Sequence, residues 1–174
     1  MSVEGGNDNG LDSLRLVAHP LRLRLLSLLT GRAMSAAEAA RELGEGQANV
    51  SYHIRRLAKG GLLELVGEES IRGGVAKRYI HNSDSGEAIT ISDRATHRQL
   101  VEVMARQMTT RAGTYREGTT FAFTDAHVAI PRDQWVRLEE AARDVGKLVH
   151  ELAELPTGSD TVTVSLTIVA FETE

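Results

Sequence analysis

The sequence contains no cysteine among its 174 residues, and this absence excludes disulfide bonds and thiolate metal sites. No apolar run approaches the ~20 residues that a membrane-spanning helix needs. The first ten residues, MSVEGGNDNG, lack the basic start and apolar centre of a secretory signal peptide. A chain without disulfides fits a reducing compartment. We therefore expect a soluble, cytoplasmic protein.

The motifs of catalysis and of metal binding are also missing. The sequence has no GxSxG elbow, and the glycines of residues 44–49 follow a predicted helix rather than the strand that a phosphate-binding loop requires. Asp93 with His97, and His150 with Glu154, are each four residues apart, but neither pair has the second pair that tetrahedral zinc needs. We predict helix-surface contacts for both pairs, and no enzymatic activity, metal or cofactor.

The charge is unevenly distributed along the chain, although the composition is that of an ordinary globular protein. Residues 11–81 contain eleven Lys/Arg and seven Asp/Glu, a balance of +4. Residues 82–174 contain nine and fifteen, a balance of -6, and the first ten residues add -2. A basic front and an acidic back predict that only the front meets a polyanion.

The front of the chain has the pattern of a helix-turn-helix. Leucines with helical spacing are interrupted at Pro20, which predicts a break followed by a second helix. Ser35 precedes Glu38 by three residues, a capping-box pattern that begins a helix ending near Leu43. A glycine-containing turn over residues 44–46 then leads to a helix over residues 47–59.

A β-hairpin is predicted directly after this second motif helix. Gly60 and Gly61 end the helix. Residues 62–66 and 75–81 have strand composition, and residues 67–74 are predicted to be a charged loop between them. Two motif helices followed by a hairpin form a winged helix-turn-helix.

Four stretches in this order, HPLRLRLLSLL, SAAEAARELG, QANVSYHIRRLAKGGLLEL and AKRYI, resemble the ArsR-type winged helix-turn-helix transcriptional regulators, in particular their cysteine-free branch. The resemblance covers residues 11 to about 81. It implies a dimeric, operator-binding protein whose second motif helix enters the major groove of DNA while the hairpin, called the wing, contacts the backbone. We predict an α+β protein with a disordered tail (residues 1–10), a winged helix-turn-helix DNA-binding domain (11–82), and a dimerisation and possible effector region (92–174).

The helix over residues 47–59 is the strongest candidate for reading DNA. Its apolar stripe is Val50, Ile54 and Leu57, and the rest of its surface is polar. Arginine can donate to both acceptors of guanine, and Asn or Gln can pair with adenine. The predicted DNA contacts of this helix are Gln47, Ala48, Asn49, Ser51, Tyr52, Arg55, Arg56 and Lys59. The alternative is an ordinary solvated charged face; His53 is predicted to be a packing or phosphate-side residue.

The wing and the first motif helix supply further candidates. Arg72 and Lys77 are predicted to contact phosphates or a minor groove, whereas Arg78 can face inward. The alternative is a charged hairpin tip that keeps an edge strand soluble. Ser35, at the start of the first motif helix, is a predicted phosphate donor, although its role as a helix cap would also explain it.

The back of the chain is predicted to begin with a dimerisation helix. Ser92 and Asp93 can cap a helix that runs to about Arg111. Its apolar positions have coiled-coil-like spacing and form the predicted dimer interface: Leu100, Val101, Met104 and Met108. The alternative is that this side packs onto the chain's own C-terminal segments.

The remainder is predicted to be a small strand-helix-strand unit. Residues 119–130 and 161–171 have strand composition, and an amphipathic helix lies between them over residues 131–155. Because two strands and one helix cannot easily form a stable sheet alone, we expect this unit to pack on the dimerisation helix, with an apolar pocket as one outcome and a filled core as the other.

These patterns favour a dimeric DNA-binding transcriptional regulator. Two other functions fit them as well. One is a one-component sensor in which the back half binds an unknown small-molecule effector and DNA is the output. The other is a winged-helix module for protein interaction without DNA binding.

Overall fold

The computed structural model describes residues 16–71, 74–82, 85 and 93–173. It contains five helices and three strands in these ranges: α1 (Pro20–Leu29), β1 (Met34–Ser35), α2 (Ala36–Leu43), α3 (Gln47–Lys59), β2 (Leu63–Ile71), β3 (Gly74–His81), α4 (Arg94–Ala112) and α5 (Arg132–Ala153). The predicted α+β class is confirmed. No helix in the described ranges is long and apolar enough to cross a membrane. The predicted tail over residues 1–10 lies outside the described residues.

The break at Pro20 is confirmed, and it sets where α1 begins. Residues 16 and 17 are helical, residues 18 and 19 are not, and Pro20 opens α1. Proline is favoured there because the missing N–H would have no partner in the first turn. His19 caps the helix, since its Nδ1 accepts a hydrogen bond of 3.2 Å from the Leu21 N–H.

The helix-turn-helix consists of α2 and α3. Neighbouring residues in the sequence determine where α2 begins and ends. Ser35 and Glu38 form the predicted capping box at the start of α2. Gly44 ends α2 with φ of 65°, a left-handed conformation that glycine adopts without the Cβ penalty. The next helix spans Gln47–Lys59 as predicted.

The three strands form one antiparallel sheet in the order β1-β3-β2. The charged loop predicted over residues 67–74 is wrong, because β2 continues to Ile71 and β3 begins at Gly74. The register shifts between Leu65 and Gly67, which leaves Val66 as the extra residue of a β-bulge. The pattern of the sequence indicated a loop here because glycine and charged residues are uncommon inside strands.

The core lies between α1, α2, α3 and the root of the sheet. Its least exposed large side chains are Leu25, Leu29, Met34, Val50, Ile54 and Leu57. The apolar stripe predicted for α3 is therefore confirmed as buried. It fixes which side of α3 is turned outward.

Helix α4 packs against α1 through one side. Val103 is buried, and Leu100 packs against the core of the winged helix-turn-helix. The Gln99 Nε2 donates to the Ala18 carbonyl over 3.4 Å, and the Arg111 guanidinium donates to the Ser27 hydroxyl over 2.8 Å. The predicted cap is confirmed, because the Asp93 carboxylate accepts from backbone N–H groups in the first turn of α4.

The predicted strand-helix-strand unit is only partly present. Its helix is α5, but the prediction of the two strands is wrong. Residues 119–130 and 161–171 contain no strand. Their apolar residues are largely exposed, as in Phe121, Phe123, Val162 and Val164. Alternating apolar residues give the period of a strand but not a partner for its backbone N–H and C=O groups, and these segments have no ladder partner within the described chain.

The C-terminal end of α5 contacts the winged helix-turn-helix. Ala153 lies directly against Gly31, leaving no room for a side chain there. The rings of His81 and His150 meet edge to face, with centroids 4.7 Å apart. The Thr30 hydroxyl lies 3.0 Å from the His81 Nδ1. Burial lowers the pKa of His81 from 6.5 to about 4, and the charge of His150 adds to this effect.

We expect this contact to make stability depend on pH. In the unfolded chain His81 takes up a proton near its ordinary pKa of 6.5, whereas in the folded chain it stays neutral until about pH 4. Unfolding therefore binds a proton in this window, and stability falls as the pH drops from 6.5 to 4. Because the ring is partly exposed, we expect the free energy of unfolding to fall by about 1–2 kcal/mol, which is less than the free energy that corresponds to the full pKa shift. Urea unfolding at several pH values should measure this loss, and His81→Gln should remove most of it.

Candidate nucleic-acid interface

The outward side of α3 is an exposed polar surface on a firmly packed helix. Val50, Ile54 and Leu57 are at most 1% exposed. The opposite side, here called the α3 face, consists of Ala48, Tyr52, Arg55 and Lys59, and all four are exposed. The buried stripe fixes the rotation of the helix, so the α3 face cannot turn inward without unpacking the core.

The cations of α3 have no carboxylate partner among the residues that the structure describes. Arg55 and Lys59 are exposed and form no ion pair within the described ranges. By contrast, Arg24 is paired with Glu45 over 2.9 Å. Unneutralised cations on one helix face attract a polyanion more strongly than paired ones do.

Tyr52 and Arg56 form a unit on the edge of the α3 face. The Arg56 Nη1 donates a hydrogen bond of 3.0 Å to the Tyr52 hydroxyl, and the guanidinium lies 5.8 Å from the centre of the ring. This hydrogen bond, followed by the charge of Arg56, lowers the pKa of Tyr52. The contact holds a cation and a hydroxyl together where both are exposed.

The first turn of α3 is open to solvent. Gln47, Ala48 and Asn49 are exposed, and Ser51 is partly buried. The residue before the helix is Gly46, which supplies no side-chain cap. The first backbone N–H groups of the helix are therefore not covered by a capping side chain, and such groups favour an anion.

Sequence reasoning did not find the residues of α1 that lie beside this edge of α3. The rings of His19 and His53 are 4.5 Å apart, and His53 is buried. Burial lowers the pKa of Arg22, and the charge of Arg56 lowers it further. Burial lowers the pKa of both histidines, and the charge of Arg22 lowers both further. Only the packing of α1 on α3 brings these residues together, so no pattern in the sequence could have indicated them.

The wing carries fewer free cations than predicted. Lys77 is exposed but lies 3.5 Å from the Glu68 carboxylate. Arg78 faces inward, where its guanidinium donates to Glu38 over 3.0 Å and to the Ala33 carbonyl over 2.7 Å. Arg72 lies outside the described residues. The contacts of Lys77 and Arg72 with DNA stay predictions.

The hydroxyl of Ser35 is already engaged. It donates to the Glu38 carboxylate over 2.8 Å, and the Glu38 N–H donates back to it over 3.3 Å. Glu38 also accepts from the Ser35 N–H, and these hydrogen bonds together with Arg78 lower its pKa to about 2. Ser35 is buried, so the geometry favours its cap role. Its predicted phosphate contact stays a prediction.

The four predicted interface residues of α4 do not share one environment. Leu100 packs on the chain's own core. Val101 and Met104 are half-buried, and Met108 is 55% exposed. The last three form the part of the predicted interface that stays available to a partner. Elsewhere in the described ranges, no three His, Asp or Glu side chains converge to hold a metal ion.

A family model described as a helix-turn-helix domain matches residues 17–66. This part of the chain is similar to helix-turn-helix domains. The match begins before α1 and ends within β2, so it contains both motif helices and the start of the wing. The match bears out the helix-turn-helix that the sequence predicts for this part of the chain.

A solved structure with 18% sequence identity covers 71% of this chain and 100% of its own, with a TM-score of 0.39. It is the homodimeric winged helix-turn-helix DNA-binding domain of a possible ArsR-family transcriptional regulator from Mycobacterium bovis. Among curated proteins, none matches the chain.

Proposed function

We propose that the protein is a non-catalytic, dimeric transcriptional regulator that binds an operator in double-stranded DNA through α3. The observation that carries this proposal is the α3 face, where Tyr52, Arg55 and Lys59 are exposed on a helix whose other side is fixed in the core. An α-helix fits the major groove, where each base pair presents a distinct set of donors and acceptors.

The side chains of α3 divide by chemistry into two roles. Arg55 is exposed and without an ion pair in the described ranges, so its guanidinium is free to bond the O6 and N7 of guanine. Gln47 and Asn49 can pair with adenine from the first turn. Lys59 and the Tyr52–Arg56 unit lie toward the end and edge of the helix, where phosphates are the nearer acceptors.

Dimerisation through α4 completes the proposal. A helix-turn-helix dimer places two recognition helices about one helical turn of DNA apart, which doubles the contacts and selects a palindromic site. The exposed Met108 and half-buried Val101 and Met104 are the α4 residues available for such contacts. The cation-poor wing is expected to add backbone contacts mainly through Arg72 and Lys77.

Selection of bound duplexes from a random DNA pool tests this function. Enrichment of a palindrome with half-sites about 10 base pairs apart is the expected result. A single unrepeated site would support DNA binding but contradict the dimer. If no sequence is enriched and binding to any duplex is absent, the winged helix serves protein interaction instead, and the proposal fails.

A further inference from the structure

Helix α5 carries an apolar stripe that its own chain leaves uncovered. The stripe consists of Leu138, Ala141, Val145, Leu148 and Leu152, and Leu155 continues it just after the helix. Successive members are three and four residues apart in alternation, which is the a and d spacing of a coiled coil. The large members are between 39% and 58% exposed.

Packing against the described residues gives this helix little of its stability. None of its 22 residues is buried. Gly146 lies in its middle, with nothing within 4 Å of where a Cβ would be, and an interior glycine costs about 1 kcal/mol relative to alanine. Helices in proteins gain most of their stability from packing an apolar face. Helix α5 therefore needs a partner.

The chain covers only a neighbouring side of α5. Trp135, Ala142 and Val149, spaced seven residues apart, are partly buried. His150 contacts His81 and Ala153 contacts Gly31 at the C-terminal end, and Arg132 pairs with Glu172 over 2.6 Å at the N-terminal end. The stripe itself faces away from these contacts.

We propose that α5 packs against the α5 of a second copy of this chain through the stripe. A heptad stripe is self-complementary, because side chains at a and d insert between those of an identical helix, and a two-fold dimer uses the same patch on both subunits. Helix α5 contains four Lys/Arg and five Asp/Glu. This near balance neither repels a second copy nor selects a strongly charged partner.

The exposed apolar area of the stripe is close to what a stable dimer needs. The stripe has five large apolar side chains that are between 39% and 58% exposed. At roughly 80 Å² for each, they leave on the order of 400 Å² of apolar surface on one copy. A stable dimer buries about 800 Å² on each partner, and about two thirds of a homodimer interface is apolar, so the stripe supplies most of the apolar surface that such an interface needs.

The absence of cysteine from the chain permits a site-specific test in the full-length protein. Leu148→Cys places a single thiol on the stripe, and Arg143→Cys places one on the opposite side of the same helix. Packed helices are about 8–10 Å apart, so a bismaleimide that reaches about 10 Å joins two Leu148→Cys chains whether the helices run parallel or antiparallel. We expect a roughly tenfold higher yield of covalent dimer for Leu148→Cys than for Arg143→Cys.

A second pair of variants needs no cross-linker. Because Leu148 is exposed within one chain, Leu148→Lys should leave the winged helix-turn-helix folded, and any loss of helical signal in circular dichroism should be limited to α5. It should raise the dimer dissociation constant roughly tenfold or more by burying a charge between the helices. Glu140→Lys, on the polar side of α5, should leave that constant within about twofold.

Two results would overturn the α5 interface: equal cross-linking of the two cysteine variants, or a parent chain that stays monomeric. No DNA enters these measurements. A dimer that does not cross-link through Leu148→Cys would overturn this interface and leave the α4 dimer and DNA binding standing.

Discussion

Arg55→Ala should weaken binding to the selected duplex by about 1–3 kcal/mol, which is roughly a 5- to 150-fold rise in Kd. The guanidinium is exposed on the α3 face and has no ion pair in the described ranges. Its removal therefore breaks no ion pair among the described residues, and the loss of affinity reports mainly on its contact with a partner. Because the proposed partner is a base edge, preference at one position of each half-site should also relax.

The matched control is Arg116→Ala. Arg116 is likewise exposed, and it lies outside the helix-turn-helix domain. Fluorescence anisotropy on the selected and on a scrambled duplex should give a Kd for Arg116→Ala within about twofold of the parent. Equal binding of Arg55→Ala and the parent to both duplexes would mean that the α3 face is a solvated surface.

Leu57→Ala should cost about 2–5 kcal/mol of stability, the range for a buried leucine whose cavity collapses only in part. Leu57 is completely buried and belongs to the stripe that holds α3 on the core. The loss is a large share of the total stability of a domain of this size. We therefore expect α3 to lose its fixed position, and DNA binding to fall with the folded fraction.

Urea unfolding followed by circular dichroism should measure this cost. Tryptophan fluorescence is unsuitable, because the single tryptophan, Trp135, lies in α5 and not in the helix-turn-helix. The control is Leu65→Ala, since Leu65 is 44% exposed on the wing and its truncation should cost less than about 1 kcal/mol. Similar costs for the two variants would contradict the assigned core.

The sequence predicted well those elements whose limits are set by neighbouring residues. The capping box of Ser35 and Glu38 and the turn glycines act within a few positions, so α2 and α3 begin and end where predicted. The period of Val50, Ile54 and Leu57 likewise identified the buried side of α3, and hence the exposed candidate site.

Elements that depend on distant partners could not be predicted in the same way. β1 has two residues and exists only because Met34 and Ser35 pair with β3. The prediction of strands over residues 119–130 and 161–171 was wrong, because an alternation of apolar residues does not specify which strand would pair with them. The ion pairs that neutralise the wing, and the His81–His150 contact, also join residues far apart in sequence.

The salt dependence of the affinity for the selected duplex tests the central claim most directly. If Arg56 and Lys59 of two protomers contact phosphates, these four counterion-releasing contacts alone contribute about -3 to -4 to the slope in a plot of log K against log salt concentration, and contacts of the wing make the slope steeper. Lys59→Ala should flatten this slope by about two, one contact on each protomer. A slope near zero for the parent, or an unchanged slope for Lys59→Ala, would contradict DNA recognition by α3.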